Sequence, residues 1–410
     1  MSVPASSRIR QAALLAALAA TAVVTACGGG GSADAGATGA SSITPTAFTQ
    51  GTITGFGSIV VNGVRFDESA ASVSDDAGNL STAQALRLGM RVEVDHAGVD
   101  ASASTARAAA VRYGSLVLGP VATVDAAGNT LTVLGQVVDV TPGTVFSETL
   151  AAGLSALAAG AVIEVHGLAD AATGHITATR VEAAGSATRY KLRGTLAGLN
   201  TSAKTFNIGA AAISYAALAS TAVPSTLADG VALRVDLATA QSGGFWVASA
   251  LGVKGPRSDH ANGLGGHVRG KITAFTPATR FTPATRFTVD GVVVDAGTAT
   301  FPDGSSGLAL GVEVEVDGTL SNGVLVATKV SLESRHQGDD SRQWHLFGAI
   351  TALDTGAKTL VVRGVTVSYG TATSYVGGSL ADLAVGRKVH VKGTVGSTRS
   401  QVQAAVVTFE

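Results

Sequence analysis

The sequence predicts an all-β protein (with minor α) made of five tandem small β-barrels. Three observations predict this: a glycine-rich composition with little charge, an apolar pattern of period two, and a set of markers that occurs five times. All three favour short strands joined by tight turns over long amphipathic helices.

The composition limits the class of protein first. The chain has 410 residues, 46% of them hydrophobic and only 14% charged, with 52 glycines and 9 prolines. A formal net charge of -1 disfavours a strongly basic nucleic-acid binder. The single cysteine excludes an intramolecular disulfide framework and a cysteine-rich zinc site.

The repeat is defined by three markers in fixed order. The first is Leu-x-x-Gly-x-x-(Val/Ile/Leu)-x-Val, whose glycines are separated by 71, 70, 81 and 75 residues. The five marker glycines are Gly89, Gly160, Gly230, Gly311 and Gly386. A Gly-x-(Ile/Leu/Val) marker precedes each of them, at Gly51, Gly119, Gly194, Gly270 and Gly348. An Ala-x-x-(Val/Leu) marker follows each, at Ala108, Ala178, Ala248, Ala327 and Ala404. Repetition at this period predicts five copies of one structural unit.

Alternation after the marker glycine indicates a strand. Apolar residues stand three and five positions after it, and mostly polar or charged residues stand four and six positions after it. The polar pairs are Glu93/Asp95, Glu164/His166, Arg234/Asp236, Glu315/Asp317 and His390/Lys392. One face of this strand is therefore expected in a core and the other in water. Upstream, Asn62-Gly63, Asp290-Gly291 and Arg363-Gly364 predict tight hairpin turns.

Each repeat is thus predicted to run through two or three strands, a short helical turn and two further strands. This is the order of an OB-type five- to six-stranded barrel, and closure protects the strand edges of a domain of about 70 residues. The predicted units are 49–113, 114–186, 187–254, a linker at 255–266, 267–333, a linker at 334–342, and 343–410. The polar linkers argue against the alternative, a solenoid with shared sheets, so we expect an extended rod or a bent string.

The N-terminus predicts secretion. Arg8 and Arg10 precede a short apolar run from Ala12 to Val24, and Ala26-Cys27 follows it, so residues 1–26 are typical of a cleaved signal peptide. This segment resembles a bacterial lipoprotein signal. The resemblance implies cleavage between Ala26 and Cys27, and a diacylglycerol with further acyl chains such as palmitate on Cys27, which would anchor the chain in a membrane.

The residue after the lipidated cysteine bears on the destination. Lipoproteins held in the inner membrane typically carry Asp there, so the resemblance implies that Gly28 directs the protein to the outer membrane, facing the periplasm or the cell surface. Residues 28–47 have almost no large apolar side chains, and residues 27–48 are predicted to form the lipidated cysteine and a flexible tether. Removal of residues 1–26 takes away two arginines and no acid, leaving 26 basic against 29 acidic residues.

The first repeat carries a second resemblance. The stretch from Gly51 to Asp67, which contains Gly-Ser-Ile-Val-Val-Asn-Gly-Val-Arg-Phe, resembles the hallmark of a bacterial repeat family of unknown function. Its members are secreted proteins and lipoproteins with OB-like β repeats. The resemblance covers about residues 49–410 and implies a fold and an envelope location, with no activity to carry over.

No group of residues predicts chemistry. The most suggestive histidines are His260 beside Asp259 and near His267, and His336 near Asp339 and Asp340, but solvated linker charge explains both groups. Gly304-Ser305-Ser306-Gly307 is a turn sequence and not a nucleophile elbow. Candidate aromatic platforms are Phe66, Phe206, Tyr215, Trp246, Trp344, Phe347 and Tyr369, which share no position across the repeats. We therefore predict no catalytic residue, no metal site and no cofactor.

The sequence favours a lipid-anchored, non-enzymatic envelope protein that acts as a multi-domain binding or spacer module. Its expected partners are the membrane through Cys27 and an envelope protein or a glycan, but no nucleic acid. Two alternatives stay open: an accessory subunit of an envelope export or adhesion system, and a hydrolase with a site in one diverged repeat.

Overall fold

The computed structural model describes residues 43–253, 260–276, 286–333 and 343–410. The signal peptide, Ala26, Cys27 and most of the tether lie outside the described residues. Within those ranges the chain forms strands and short 3-10 turns, and no helix is long and apolar enough to cross a membrane.

Barrels 1 and 2 occupy the first half of the described chain. Barrel 1 contains β1 (Ala47–Phe56), β2 (Ile59–Val61), β3 (Val64–Asp67), β4 (Ser72–Asp75), β5 (Leu80–Ser81), β6 (Arg91–His96) and β7 (Thr105–Tyr113). Barrel 2 contains β8 (Val117–Asp125), β9 (Thr130–Val133), β10 (Gln136–Phe146), β11 (Val162–Asp170) and β12 (His175–Ala183). Single 3-10 turns precede β6 at Ala83–Ala85 and β11 at Glu148–Leu150 and Gly153–Ala156.

Barrels 3 to 5 repeat this order. Barrel 3 contains β13 (Tyr190–Asn200), β14 (Thr205–Ile208), β15 (Ala211–Ser214), β16 (Ala232–Ser242) and β17 (Phe245–Val253). Barrel 4 contains β18 (Gly265–Thr276), β19 (Arg286–Val289), β20 (Val292–Asp295), β21 (Glu313–Ser321) and β22 (Val324–Leu332). Barrel 5 contains β23 (Trp344–Asp354), β24 (Thr359–Val362), β25 (Val365–Ser368), β26 (Ser374–Val376), β27 (Lys388–Val395) and β28 (Val402–Phe409). Strand β18 thus begins within the predicted linker 255–266.

All five barrels close in the same way. In barrel 2, β8 pairs with β9, β9 with β10, β10 in parallel with β12, β12 with β11, and β11 with β8. The equivalent five pairings occur in the other four barrels. The parallel pair between the third and last principal strands is the OB-type connectivity. The prediction of an all-β protein with OB-like repeats is confirmed.

Local sequence explains the hairpins. Asn62 and Gly63 have φ of 50° and 77°, and Asp290 and Gly291 have φ of 44° and 88°. Positive φ at both central residues is the type I′ geometry, whose twist matches that of the flanking strands. Arg363 and Gly364 adopt the same geometry, with φ of 54° and 76°. Glycine tolerates this conformation without a Cβ clash, which is why it occupies the second position of each turn.

The barrels are not strung out along a rod. All described residues lie in one compact unit, Ser42–Glu410. Strand β1 pairs in parallel with both β18 and β23, and β8 pairs with β13. The prediction of an extended rod or bent string is therefore wrong, because outward-facing strand edges of one barrel pair with those of another.

The buried apolar clusters extend across the barrels that pack together. Barrels 2 and 3 share one buried cluster, barrels 1 and 5 share a second, and barrel 4 has a third that also contains Phe48 of barrel 1. A unit of about 70 residues buries a smaller fraction of its surface alone than a larger domain does, so a neighbour that covers its open end adds stability. The rejected solenoid alternative is thus partly realised: sheets continue across barrels, yet each barrel closes.

Candidate functional site

A charged cavity lies where barrels 1, 2, 3 and 4 meet. Its volume is about 250 Å³. Four arginines and three acids contribute to its lining: Arg91, Arg112, Arg193, Arg234, Asp76, Glu93 and Asp290. We call it the junction cavity. It is a notable concentration of arginine in a protein with a net charge of -1.

Barrel 3 contributes a pair of like charges. Arg193 of β13 and Arg234 of β16 lie directly opposite each other in the strand register, an arrangement that is destabilising by itself. Asp76, which follows β4 of barrel 1, offsets the repulsion between these two arginines. The Asp76 carboxylate accepts a hydrogen bond from Arg193, and the Asp76 main-chain oxygen lies 3.2 Å from Nη1 of Arg234. Lys191 Nζ lies 3.4 Å from the same carboxylate. An acid of barrel 1 is therefore held by the basic face of barrel 3.

Barrels 1 and 4 meet at a buried ion pair. Arg91 begins β6, and its Nη2 lies 2.8 Å from Oδ2 of Asp290 in the β19–β20 turn. Gln50 Nε2 donates to the same oxygen at 2.9 Å, and Arg91 Nη2 also donates to the main-chain oxygen of Arg269 at 2.9 Å. Both charged side chains are almost fully buried, 8% and 11% exposed.

The lining of the cavity is rich in hydrogen-bond donors. Four arginine side chains contribute to it, and each guanidinium carries five N–H groups. The Nε atoms of Arg91, Arg193 and Arg234 are buried and have no hydrogen-bond partner within the described ranges. Four arginines around one cavity favour a ligand that carries several acceptor oxygens. A carboxylate or phosphate meets this requirement and suits the planar geometry of arginine.

The sequence candidates fall elsewhere. His260 Nε2 lies 2.9 Å from Asp95 Oδ1, and its ring stacks on Phe48. His267 Nδ1 lies 2.6 Å from Asp317. The structure places these two histidines in different side-chain groups. Asp259, His336, Asp339 and Asp340 lie outside the described residues. The Gly304–Gly307 turn is on the surface, and both of its serines are exposed.

The aromatic candidates form no common platform. Five are buried in the barrel cores: Phe66, Phe206, Tyr215, Trp344 and Tyr369. Trp344 begins β23 and lies in the core shared by barrels 1 and 5. Trp246 packs against Tyr190, and Phe347 lies beneath the guanidinium of Arg65. All seven have packing roles that need no ligand.

His390 lies beside the contact between barrels 1 and 5. Its ring stacks on Phe347 with a centroid distance of 3.9 Å, and its Nε2 lies 3.1 Å from His345 Nδ1. Burial, together with the neighbouring His345, Lys392 and Arg65, lowers the pKa of His390 to about 4. The folded protein therefore holds this ring neutral at mildly acid pH.

The stability of the protein is expected to fall as the pH drops from 6.5 towards 4. In that window the unfolded chain binds a proton at His390 and the folded chain does not, so protonation favours unfolding. His390→Gln is expected to recover about 1 kcal/mol at pH 5, a value reduced for solvent screening at this partly exposed ring. Urea unfolding at pH 5 and pH 7.5 measures the difference, and His175→Gln is the control at a more exposed histidine. Equal pH dependence in wild type and His390→Gln would contradict the expectation.

Sequence reasoning missed the junction cavity and a group formed by Glu164, His166 and Glu182. The cavity residues come from four barrels, and the charged ones were visible only as polar positions along the sequence. A weak signal existed, because Arg234 stands where three other repeats carry an acid four residues after the marker glycine. Nothing in the sequence indicates which of these faces meet.

Fold and cavity together define a protein of tandem OB-type barrels with a charged site between them. Four segments, residues 50–106, 119–182, 269–331 and 347–407, match the domain of unknown function DUF5666. They cover more than half of the chain, and the chain belongs to this family. The match follows barrels 1, 2, 4 and 5; barrel 3 has the same connectivity without a match.

Two further comparisons add little. No curated protein matches the chain in sequence. Among solved structures, the chain is similar to one titled "drosophila Unr CSD456", at 13% identity and a TM-score of 0.13, over 55% of this chain and 98% of that chain. A likeness at this TM-score carries no argument about function.

Proposed function

We propose that this protein is a lipid-anchored, non-enzymatic binding module of the cell envelope that holds a small anionic ligand in the junction cavity. The observation that carries the proposal is the concentration of four arginines, Arg91, Arg112, Arg193 and Arg234, in the lining of this one cavity. The ligand bears a carboxylate or a phosphate, since these groups accept several hydrogen bonds from arginine.

The size of the cavity supports a small ligand. At about 250 Å³ it is below the usual range for drug-sized molecules, so it suits an anion of a few heavy atoms or the charged end of a larger molecule. A spacer protein would be extended in order to bridge a distance. The compact packing of the barrels therefore favours a role in binding over a role as a spacer. Arginine and carboxylate side chains around the cavity hold one another in ion pairs, an arrangement suited to orientation of a ligand.

The lipid anchor on Cys27 completes the proposal. The signal before Cys27 and Gly28 after it support an outer-membrane location, with residues 28–47 as the tether. Acylation of Cys27 concentrates the barrels at the membrane. An envelope metabolite or an anionic group of a glycan is therefore the expected class of ligand.

The first test concerns the anchor. Cys27→Ser is expected to abolish labelling of the protein by radioactive palmitate and to move it from the membrane fraction to the soluble fraction. This soluble form then serves for ligand titration. Palmitate labelling that persists in Cys27→Ser would contradict the assigned anchor without affecting the cavity.

The second test concerns the cavity. We expect phosphate, sulfate, citrate or a sugar phosphate to bind in calorimetric titration, and Arg234→Gln to weaken that binding at least about tenfold, the equivalent of one hydrogen bond to a charged group. Arg399→Gln is the matched control: Arg399 also joins two barrels, donating to Thr141 and Pro142 at 3.0 Å, but it lies outside the cavity lining. Equal weakening in both variants, or no binding of any anion at millimolar concentration, would refute the proposal.

A further inference from the structure

A second polar group lies on barrel 2, apart from the arginine cluster. Glu164 and His166 are two residues apart on β11 and so share one face of that strand. Glu182 of β12 lies directly opposite Glu164 in the register. One ligand atom from each of these three side chains lies within 4.8 Å of the other two.

His166 is the unusual member of this group. It is 0% exposed, and its Nδ1 lies 3.1 Å from the main-chain oxygen of Gly114. A carbonyl oxygen only accepts hydrogen bonds, so Nδ1 carries the proton and Nε2 presents a lone pair. Nε2 is buried and has no hydrogen-bond partner among the described residues.

The two glutamates place like charges side by side. Like charges directly opposite each other on neighbouring strands repel. Lys191 Nζ lies 3.7 Å from Oε1 of Glu164, and Arg180 Nε donates to Oε1 of Glu182. These cations contact one oxygen of each carboxylate and leave further lone pairs beside the free Nε2 of His166.

We propose that Glu164, His166 and Glu182 bind one divalent transition-metal ion, with Zn²⁺ as the reference ion. Imidazole and carboxylate ligands together suit Zn²⁺ and neighbouring metals, whereas Mg²⁺ and Ca²⁺ prefer all-oxygen sites. Three protein ligands leave a fourth position for water or another donor. The bond from Nδ1 to a main-chain carbonyl is the orienting contact that metal-bound histidines usually make.

Two similar groups hold their histidine differently. In the group of Glu93, Asp95 and His260, the Nε2 atom already contacts Asp95 at 2.9 Å. In the group of His267, Glu315 and Asp317, Nε2 also has no hydrogen-bond partner among the described residues, but the histidine is partly exposed and its Nδ1 contacts the carboxylate of Asp317 at 2.6 Å. A carboxylate that accepts the ring proton explains the geometry of both, so these two groups serve as internal comparisons.

The test uses the full mature chain with Cys27→Ser, stripped of metal with a chelator. We expect Co²⁺ to give visible d–d absorption that Zn²⁺ removes by competition and Mg²⁺ does not. Glu182→Gln, which keeps the side-chain size, is expected to weaken Zn²⁺ binding at least about tenfold and to reduce the Co²⁺ signal. His175→Gln is the matched control, since it removes a half-exposed histidine of the same barrel outside the group.

The outcomes separate cleanly. We expect the Glu182→Gln variant to fold, because the substitution removes like-charge repulsion in the metal-free protein. If it does not fold, the Glu164→Gln variant takes its place, and the same tenfold loss of Zn²⁺ affinity is expected. The proposal is overturned if Zn²⁺ does not bind, or if both glutamate variants bind it as tightly as His175→Gln does. The site is distinct from the junction cavity, so anion binding that survives in Glu182→Gln leaves the proposed function intact.

Discussion

Replacement of Asp290 by Asn is expected to destabilise the protein by about 3 kcal/mol. Asn keeps the positive φ that residue 290 adopts in its turn, and it is close to the size of Asp, so backbone strain and packing change little. The loss comes from Arg91, whose guanidinium stays buried at the contact of barrels 1 and 4 without a counter-ion. Urea unfolding at neutral pH measures the change.

Two variants make this expectation specific. Asp295→Asn is the matched control, since Asp295 forms an exposed pair with Arg286 on the same barrel at 3.5 Å and such pairs contribute little. Adding Arg91→Met to Asp290→Asn is expected to recover much of the lost stability, because it removes the uncompensated charge. Equal losses for Asp290→Asn and Asp295→Asn would show that the pair does not hold the two barrels together.

Gly89→Ala is expected to cost about 3 kcal/mol, whereas Gly386→Ala is expected to cost about 1 kcal/mol. Both marker glycines have positive φ, 83° and 89°, so both alanines carry the same backbone strain. A Cβ on Gly89 would also lie 2.6 Å from the main-chain oxygen of Thr179 in barrel 2, while a Cβ on Gly386 would meet nothing within 4 Å.

The contact at Gly89 is part of a docking site. Thr179 Oγ1 donates to the main-chain oxygen of Gly89 at 2.6 Å, and Arg180 Nη1 donates to that of Leu88 at 3.1 Å. Alanine at position 89 therefore forces barrels 1 and 2 apart and strains these bonds. Thermal unfolding of both variants tests this, and a Gly386→Ala loss as large as that of Gly89→Ala would contradict the docking argument.

The fold was predictable from sequence because its determinants are local. The alternation after each marker glycine places Val92, Val94 and their counterparts in a core, and all five strands form where that pattern predicts. The Asn62-Gly63 and Asp290-Gly291 turns follow from the backbone preferences of two residues each. The segment at Leu380–Asp382 makes the short helical turn that its composition favours.

The candidate sites were not predictable, because their residues are distant in sequence. Arg91 and Asp290 are on different barrels, as are Asp76 and Arg193. Glu182 faces Glu164 within one barrel, but only the strand register shows that they are direct neighbours. His166 carries no sequence signal of its role, since an outward position on a strand usually indicates solvent, whereas here the ring is fully buried and contacts the main-chain oxygen of Gly114.

By itself the sequence determined five barrels, their strand order and the tight hairpin turns at Asn62-Gly63 and Asp290-Gly291. These properties depend on φ preferences and on alternation, which act between residues close along the chain. Only the tertiary structure decided which barrels dock, since Gly89 meets Thr179 and Gly386 meets open space although both carry the same marker. Docking depends on the shape and charge of the outward faces, which differ from repeat to repeat and leave no pattern within any one of them.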